Sequence, residues 1–172
     1  MECSTFFMFF LTTNNMDSTI KSSYIISDKN GVHIVIPTDI TKIEECGFLG
    51  IDVETIILPE DITTIGRGAF MGARLKNIVL PESLTEIADD AFSGCVLLKK
   101  LYLPAKIASI GARAFMGCDS LTTVKFPPAL RYLGDEAFAF CRGLRNVTLP
   151  KSITHIGEKV FLGCPLEEIP NR

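Results

Sequence analysis

A motif anchored on proline recurs six times at intervals of 22 or 23 residues, starting at Pro37, Pro59, Pro81, Pro104, Pro127 and Pro150. The copy at Pro104 reads P-A-K-I-A-S-I-G-A-R-A-F-M-G-C-D-S-L-T-T-V-K-F, and the next proline follows directly. A fixed period of this length is the signature of a solenoid, in which each repeat forms one coil and touches only its neighbours. One coil cannot bury its own apolar face. A stack of them can. With 172 residues, 47% of them apolar, the chain is long enough for a single continuous core.

Each recurring position has a physical role. An Ile or Leu stands three residues after each proline (Ile40, Ile62, Leu84, Ile107, Leu130, Ile153), and a second row follows three further on (Ile43, Ile65, Ile87, Ile110, Leu133, Ile156). Five residues later comes phenylalanine: Phe48, Phe70, Phe92, Phe115, Phe138 and Phe161. The row Val53, Leu75, Leu98, Leu121, Leu144, Leu166 precedes two more, headed by Ile56 and Leu58. These last two rows are two residues apart, so both point inward from one strand. Gly66, Gly111, Gly134 and Gly157 suit a tight corner. Ala69, Ala91, Ala114 and Ala137 precede phenylalanines in a segment expected to make a short helical turn. Gly72, Gly94, Gly117 and Gly163 end that turn, where a left-handed residue is cheapest for glycine. Proline closes each strand because it has no N–H for a ladder.

The recurring Pro-x-x-Ile-x-x-Ile-Gly-x-x-Ala-Phe-x-Gly-Cys-x-x-Leu-x-x-Val-x-Leu resembles the leucine-rich repeats of the BspA-like type, from His33 to Ile169. The resemblance implies an α/β-type repeat solenoid: a right-handed, strand-dominated leucine-rich-repeat coil with a parallel sheet on its concave face and short helical turns. It also implies secreted or cell-surface use, in adhesion and in binding a protein ligand or host surface protein. The chain departs from the pattern in three places. Glu44, Gly47 and Ile51 replace the usual Gly, Ala and Cys of the first repeat; Ala73 replaces Cys in the second; Phe140 takes a glycine position.

Residues 24–172 are assigned to the solenoid. Within them, 24–36 form an N-terminal hairpin cap, because Tyr24-Ile25-Ile26-Ser27 and Val32-His33-Ile34-Val35-Ile36 flank the turn sequence Asp28-Lys29-Asn30-Gly31. Residues 1–23 are a separate segment, read as disordered or as a degenerate targeting sequence. Its apolar run Phe6-Phe7-Met8-Phe9-Phe10-Leu11 is too short to span a bilayer. It makes a poor signal peptide, since only the acidic Glu2 precedes it and no Ala-x-Ala site follows. At the other end, Phe161, Leu166 and Ile169 are expected to leave apolar surface and an open sheet edge. Open edges invite pairing, and solenoids normally need capping repeats. A homodimer through the C-terminal coil is therefore expected, tail-to-tail rather than head-to-tail.

Charge is unevenly spread. The first 90 residues hold 6 Lys and Arg against 14 Asp and Glu, and the rest hold 11 against 6. In a solenoid, sequence order is spatial order, so this is an acidic-to-basic gradient along the axis, or a chance distribution on a solvated surface. The net charge of -3 is far from what nucleic-acid binding wants.

Catalytic and metal chemistry finds little support. Cys95, Cys118, Cys141 and Cys164 share one row, but zinc sites want pairs two to four residues apart or His partners. The row reads as small buried free thiols filling a turn, although stacked neighbours about 5 Å apart are within disulfide reach. His33 and His155 fall in opposite terminal repeats, too far apart to cooperate. No Gly-x-Ser-x-Gly, His-Glu-x-x-His or phosphate-cradling glycine loop occurs. Gly66-Arg67-Gly68 with Gly72 is the recurring corner, and the glycosylation triplet Asn146-Val147-Thr148 is discounted because its centre belongs to a buried strand row. No enzyme, cofactor or metal is expected.

Function is therefore sought on the outward strand positions. One lane reads His33, Thr55, Asn77, Lys100, Thr123, Asn146; its neighbour reads Val35, Ile57, Val79, Tyr102, Lys125, Thr148. Val35, Ile57 and Val79 make an exposed apolar stripe, which marks an interaction site or reflects only the strand preference of β-branched residues. Lys100, Tyr102 and Lys125 form a basic-aromatic cluster suited to an acidic partner or a sugar. The candidate binding residues are Lys100, Tyr102, Thr123, Lys125, Asn146 and Thr148. The leading expectation is a non-catalytic protein-binding module; the alternative is a structural unit that self-associates through open coil ends.

Overall fold

The computed structural model of this protein describes residues 24–28, 31–36, 38 and 40–168. The N-terminal segment 1–23, the hairpin-turn residues Lys29 and Asn30, Pro37 and Ile169 lie outside the described residues. In chain order the strands are β1 (Tyr24–Asp28), β2 (Gly31–Val35), β3 (Lys42–Ile43), β4 (Thr55–Ile57), β5 (Thr64–Ile65), β6 (Asn77–Val79), β7 (Glu86–Ile87), β8 (Lys100–Tyr102), β9 (Ser109–Ile110), β10 (Thr123–Lys125), β11 (Tyr132–Leu133) and β12 (His155–Ile156).

Each coil has three sides. The first carries a three-residue strand, and here β2, β4 and β6 run parallel in strict register, Ile34 beside Ile56 and Ile56 beside Ile78. The antiparallel strand β1 pairs with the outer edge of β2. The chain then leaves the sheet at proline, whose carbonyl accepts an N–H three residues on, as Pro104 does from Ile107 at 3.2 Å. That turn leads into the second side, a continuous parallel sheet of two-residue strands in the order β3-β5-β7-β9-β11-β12. The third side is the Ala-Phe segment.

The third side holds no helix among the described residues, which corrects the expected short helical turns. The reason is coil spacing. Stacked phenylalanine rings on this side have centroids 5.0 Å apart between Phe70 and Phe92 and 5.2 Å apart between Phe92 and Phe115. An α-helix with its side chains is about 10 Å across, so helices cannot stack at that repeat. The N–H groups alternate instead. Phe92 donates to Ala114 O in the next coil at 2.7 Å, while Ser93 donates within its own turn to Asp90 O at 3.0 Å. Backbone hydrogen bonds thus join neighbouring coils on this side as they do on the strand sides.

Two left-handed positions shape this turn. Gly72, Gly94 and Gly117 have φ of 69°, 73° and 70°, as the sequence pattern requires, and Phe140 holds the same place at 59°. The second was not legible: Asp90, Arg113, Glu136 and Lys159 all lie between 52° and 57°. The corner glycines work differently. Gly134 has no left-handed φ; a Cβ there would stand 2.4 Å from the Ala112 backbone nitrogen, so close approach of the coils demands glycine.

The first sheet is interrupted between β6 and β8, where the repeat lengthens from 22 to 23 residues. The extra residue lies between Cys95 and Leu98. Gly72 reaches Leu75 in three steps, while Gly94 needs four to reach Leu98. The added residue widens the bend before the strand, and the ladder resumes only when β10 follows β8 with the same coil length.

The core is a set of stacked rows. Phe48, Phe70, Phe92, Phe115 and Phe138 are all essentially fully buried, together with Ile43, Ile65, Ile87, Ile110 and Leu133. Burying one such side chain is worth about 1.5–3 kcal/mol, so the rows dominate the stability of the stack. They loosen in the last described coil, where Ile153, Ile156, Phe161, Cys164 and Leu166 are only partly buried.

Candidate functional site

The outward residues of the three-residue strands form one surface, because alternation along β4, β6, β8 and β10 buries the central residue and exposes those beside it. Lys100 is in register with Thr123, and Tyr102 with Lys125. The Lys125 Nζ lies 5.9 Å from the Tyr102 ring centroid, within cation–π range. Lys100, Tyr102 and Lys125 are exposed and Thr123 is half-buried. Among the described residues neither lysine has an ion-pair partner, unlike Lys76, which meets Glu54 at 2.6 Å. The expected basic-aromatic cluster is thus brought together on two adjacent strands.

Asn146 and Thr148 are not part of that sheet. Both are exposed, but residues 143–149 form no strand ladder, and Val147 between them is half-buried. Their expected place on a strand, and with it the strand argument against the Asn146-Val147-Thr148 triplet, is corrected. Among the described residues, the following coil contributes the bond from Glu167 N–H to Arg145 O at 2.9 Å.

The apolar stripe lies next to the cluster. Ile57 is 54% exposed, Val79 72% and Tyr102 55%, while Val35 is half-buried. Register places Val35, Ile57 and Val79 side by side. Ile57 and Val79, side by side on paired strands, form an exposed apolar pair, and Tyr102 follows in the same lane across the break in the sheet.

The cysteine row has a structural role that its spacing did not reveal. Each thiol donates to the carbonyl of the phenylalanine in the preceding coil: Cys95 to Phe70 at 3.1 Å, Cys118 to Phe92 at 3.3 Å, Cys141 to Phe115 at 3.2 Å and Cys164 to Phe138 at 3.1 Å. Each thiol thus points at a backbone oxygen, Cys141 and Cys164 also lie within hydrogen-bonding reach of each other, and all four are free. Burial pushes the Cys95 thiol up to about 12 and raises Cys118 well above its ordinary value. Such thiols are poor nucleophiles and poor metal ligands. Among the described residues no three His, Cys, Asp or Glu side chains are grouped as a metal site, and no helix is long and apolar enough to cross a membrane.

The second sheet presents residues that strand reasoning on the first side overlooked. Its outward lane is Lys42, Thr64, Glu86, Ser109, Tyr132 and His155, each immediately before an Ile or Leu that is buried, or in the last coil half-buried. Tyr132 and His155 stack with centroids 4.6 Å apart and planes 6° from parallel. Beside them opens a cavity of about 350 Å3 lined by Arg67, Glu86, Asp89, Ser109 and Tyr132. The signal was present, since a residue one step before a core position must face outward on any strand.

The chain matches the family profile described as BspA type Leucine rich repeat region (6 copies), over residues 18–127 and 41–168. Three solved structures are similar. A leucine-rich repeat protein of T. pallidum is 28% identical with a TM-score of 0.71, covering 86% of this chain and 79% of its own. A leucine-rich repeat protein from Bacteroides ovatus is 31% identical with a TM-score of 0.60, covering 75% of this chain and 40% of its own. A leucine rich cell surface protein from Faecalibacterium prausnitzii is 26% identical with a TM-score of 0.62, covering 83% of this chain and 40% of its own. No curated protein gives a significant sequence match.

Proposed function

The chain belongs to the BspA-type leucine-rich repeat family, and from that premise we propose that it is a non-catalytic module that binds protein through its three-residue-strand face. The observation that carries this reading is the lane Ile57, Val79, Tyr102, Lys125, an apolar pair on one sheet followed, across the break, by a basic-aromatic pair on the next. Such a lane suits an extended segment whose apolar residues lie over Ile57 and Val79 and whose acidic residues meet Lys100 and Lys125. Tyr102 in the middle is a rigid anchor of the type that dominates interface energetics. Thr123 borders the cluster, with Asn146 and Thr148 one coil beyond as polar rim. The likeness to a leucine rich cell surface protein supports a role at a cell surface.

A displayed peptide library, selected on the wild-type protein, tests this directly. Selected peptides are expected to combine acidic with apolar residues. They are expected to lose binding to the Lys100→Glu, Tyr102→Ala double variant while its melting temperature stays unchanged. Peptides that bind both forms equally would move the site elsewhere on the coil.

A second reading rests on the last described coil, whose Phe161, Leu166 and Ile156 are only partly buried while the same rows are fully buried further in. Apolar rows left half-covered favour self-association through this end, tail-to-tail, because hydrophobic burial is little screened by salt whereas charge attraction beyond about 10 Å is largely lost at 0.1 M. Light scattering over a concentration series tests it. A strict monomer at high concentration would refute it, and association abolished by salt would favour head-to-tail contact.

A further inference from the structure

We propose that the cavity on the two-residue-strand face is a binding subsite for a neutral saccharide, with the Tyr132 ring as its stacking platform. The register of the outward lane builds this site. Tyr132 lies between Ser109 on one side and His155 on the other. The His155 ring covers one face of Tyr132 at 4.6 Å. Ser109 is too small to cover the opposite face, so a gap opens in the lane between Tyr132 and the next large side chain, Glu86. That gap is the cavity of about 350 Å3. It lies at the small end of ligand pockets, roughly 300–1,000 Å3, which suits one ring rather than an extended chain.

The polar lining selects among ligands. Glu86 and Asp89 bring two carboxylates, and Arg67 brings a guanidinium. A cation would welcome the carboxylates and the ring face but would meet Arg67. An anion would meet two carboxylates. A neutral polyol satisfies all of them: its hydroxyls donate to the carboxylates and accept from the guanidinium and from Ser109. Its C–H face lies on the aromatic ring, whose face is electron-rich. The polar groups are also held in place. The Asp89 Oδ1 accepts from the Ala112 N–H at 2.7 Å, and Arg67 Nε lies 3.8 Å from Asp90, itself bound twice by Arg113 at 2.9 and 3.0 Å. The Asp89 carboxylate is thus oriented before a ligand arrives, with the Arg67 guanidinium near Asp90 at the rim.

The test is saturation-transfer NMR on the whole chain with a panel of methyl glycosides, followed by titration of any that respond. At least one glycoside is expected to receive saturation at millimolar concentration. Filling the gap with Ser109→Tyr is expected to weaken it at least tenfold with the melting temperature unchanged, and Tyr132→Phe to preserve it, since the ring face and not the hydroxyl makes the contact. The Lys100→Glu, Tyr102→Ala variant is expected to leave it untouched, which separates this site from the protein-binding face. Transfer to no glycoside would overturn the proposal, as would equal binding by Ser109→Tyr. So would selective occupation of the cavity by tetramethylammonium or inorganic phosphate, used as charged competitors.

Discussion

The Cys118 thiol donates to the Phe92 carbonyl oxygen of the preceding coil at 3.3 Å. That carbonyl also accepts the Cys95 N–H at 3.1 Å, so its two lone pairs bind its own turn and the next coil together. The second repeat has Ala73 in this row, and among the described residues the Phe48 carbonyl accordingly has only the Ile51 N–H, at 3.3 Å. The cysteine is thus a small inter-coil fastener. Cys118→Ala is expected to destabilise by about 1 kcal/mol, the usual net worth of a buried hydrogen bond. Cys118→Ser, which keeps a donor, is expected to lie closer to wild type. Urea denaturation of the three proteins measures this; a loss in Cys118→Ser as large as in Cys118→Ala would show that volume, not donation, matters.

The same thiols set an alkaline limit. Burial raises Cys95 to about 12 and Cys118 well above 9.0 in the folded state. The unfolded chain therefore releases these protons first. Their contribution to stability is complete below about pH 9 and falls as pH rises toward 12, by about 1.4 kcal/mol per pH unit for each thiol. Stability profiles from pH 8 to 11 are expected to be shallower for Cys95→Ala, Cys118→Ala than for wild type. In the folded protein at pH 8, an alkylating reagent is expected to modify the exposed Cys46 and spare Cys95 and Cys118.

Position along the stack controls the worth of a phenylalanine. Phe115 is fully buried between Phe92 and Phe138, at 5.2 and 5.1 Å. Phe161 is partly buried and its ring lies 5.9 Å from Phe138. Phe115→Ala is expected to lose roughly 3–5 kcal/mol, and Phe161→Ala distinctly less. Equal losses from chemical denaturation would mean that the last coil is covered in solution.

Close approach at the corners makes a methyl group costly. In Gly134→Ala the new Cβ would meet the Ala112 nitrogen at 2.4 Å, and backbone cannot rotate aside as a side chain can. A loss of about 1–3 kcal/mol is expected, the range for overpacking. In the third coil Ala88 occupies the glycine position and keeps the bond from its N–H to Ile65 O, at 3.0 Å. A melting temperature unchanged by Gly134→Ala would show that the coils can part locally at no cost.

Much of this molecule is written in its period. The rows of Ile, Leu and Phe recur at a fixed spacing, and identical residues at a fixed spacing stack, so the solenoid, the buried rows and the inward alternation of Ile56 and Leu58 follow from sequence alone. The meeting of Lys100, Tyr102 and Lys125 follows too, because residues one period apart become neighbours on adjacent strands. Other features depend on distances that no periodicity states. A coil repeat near 5 Å excludes the helical turn that the Ala-Phe segment suggested, since a helix is twice that width. The cysteine thiols bind phenylalanine carbonyls because the stack brings a backbone oxygen of the preceding coil within reach of each. Asn146 and Thr148 share the lane of Lys100 and Tyr102 by number, but residues 143–149 form no strand ladder. The cavity beside Tyr132 depends on three coils at once: one to cover a ring face, one to leave the other bare, and one to close the far wall. A single repeat specifies what lies in its own coil, and only the packed stack decides what lies between coils.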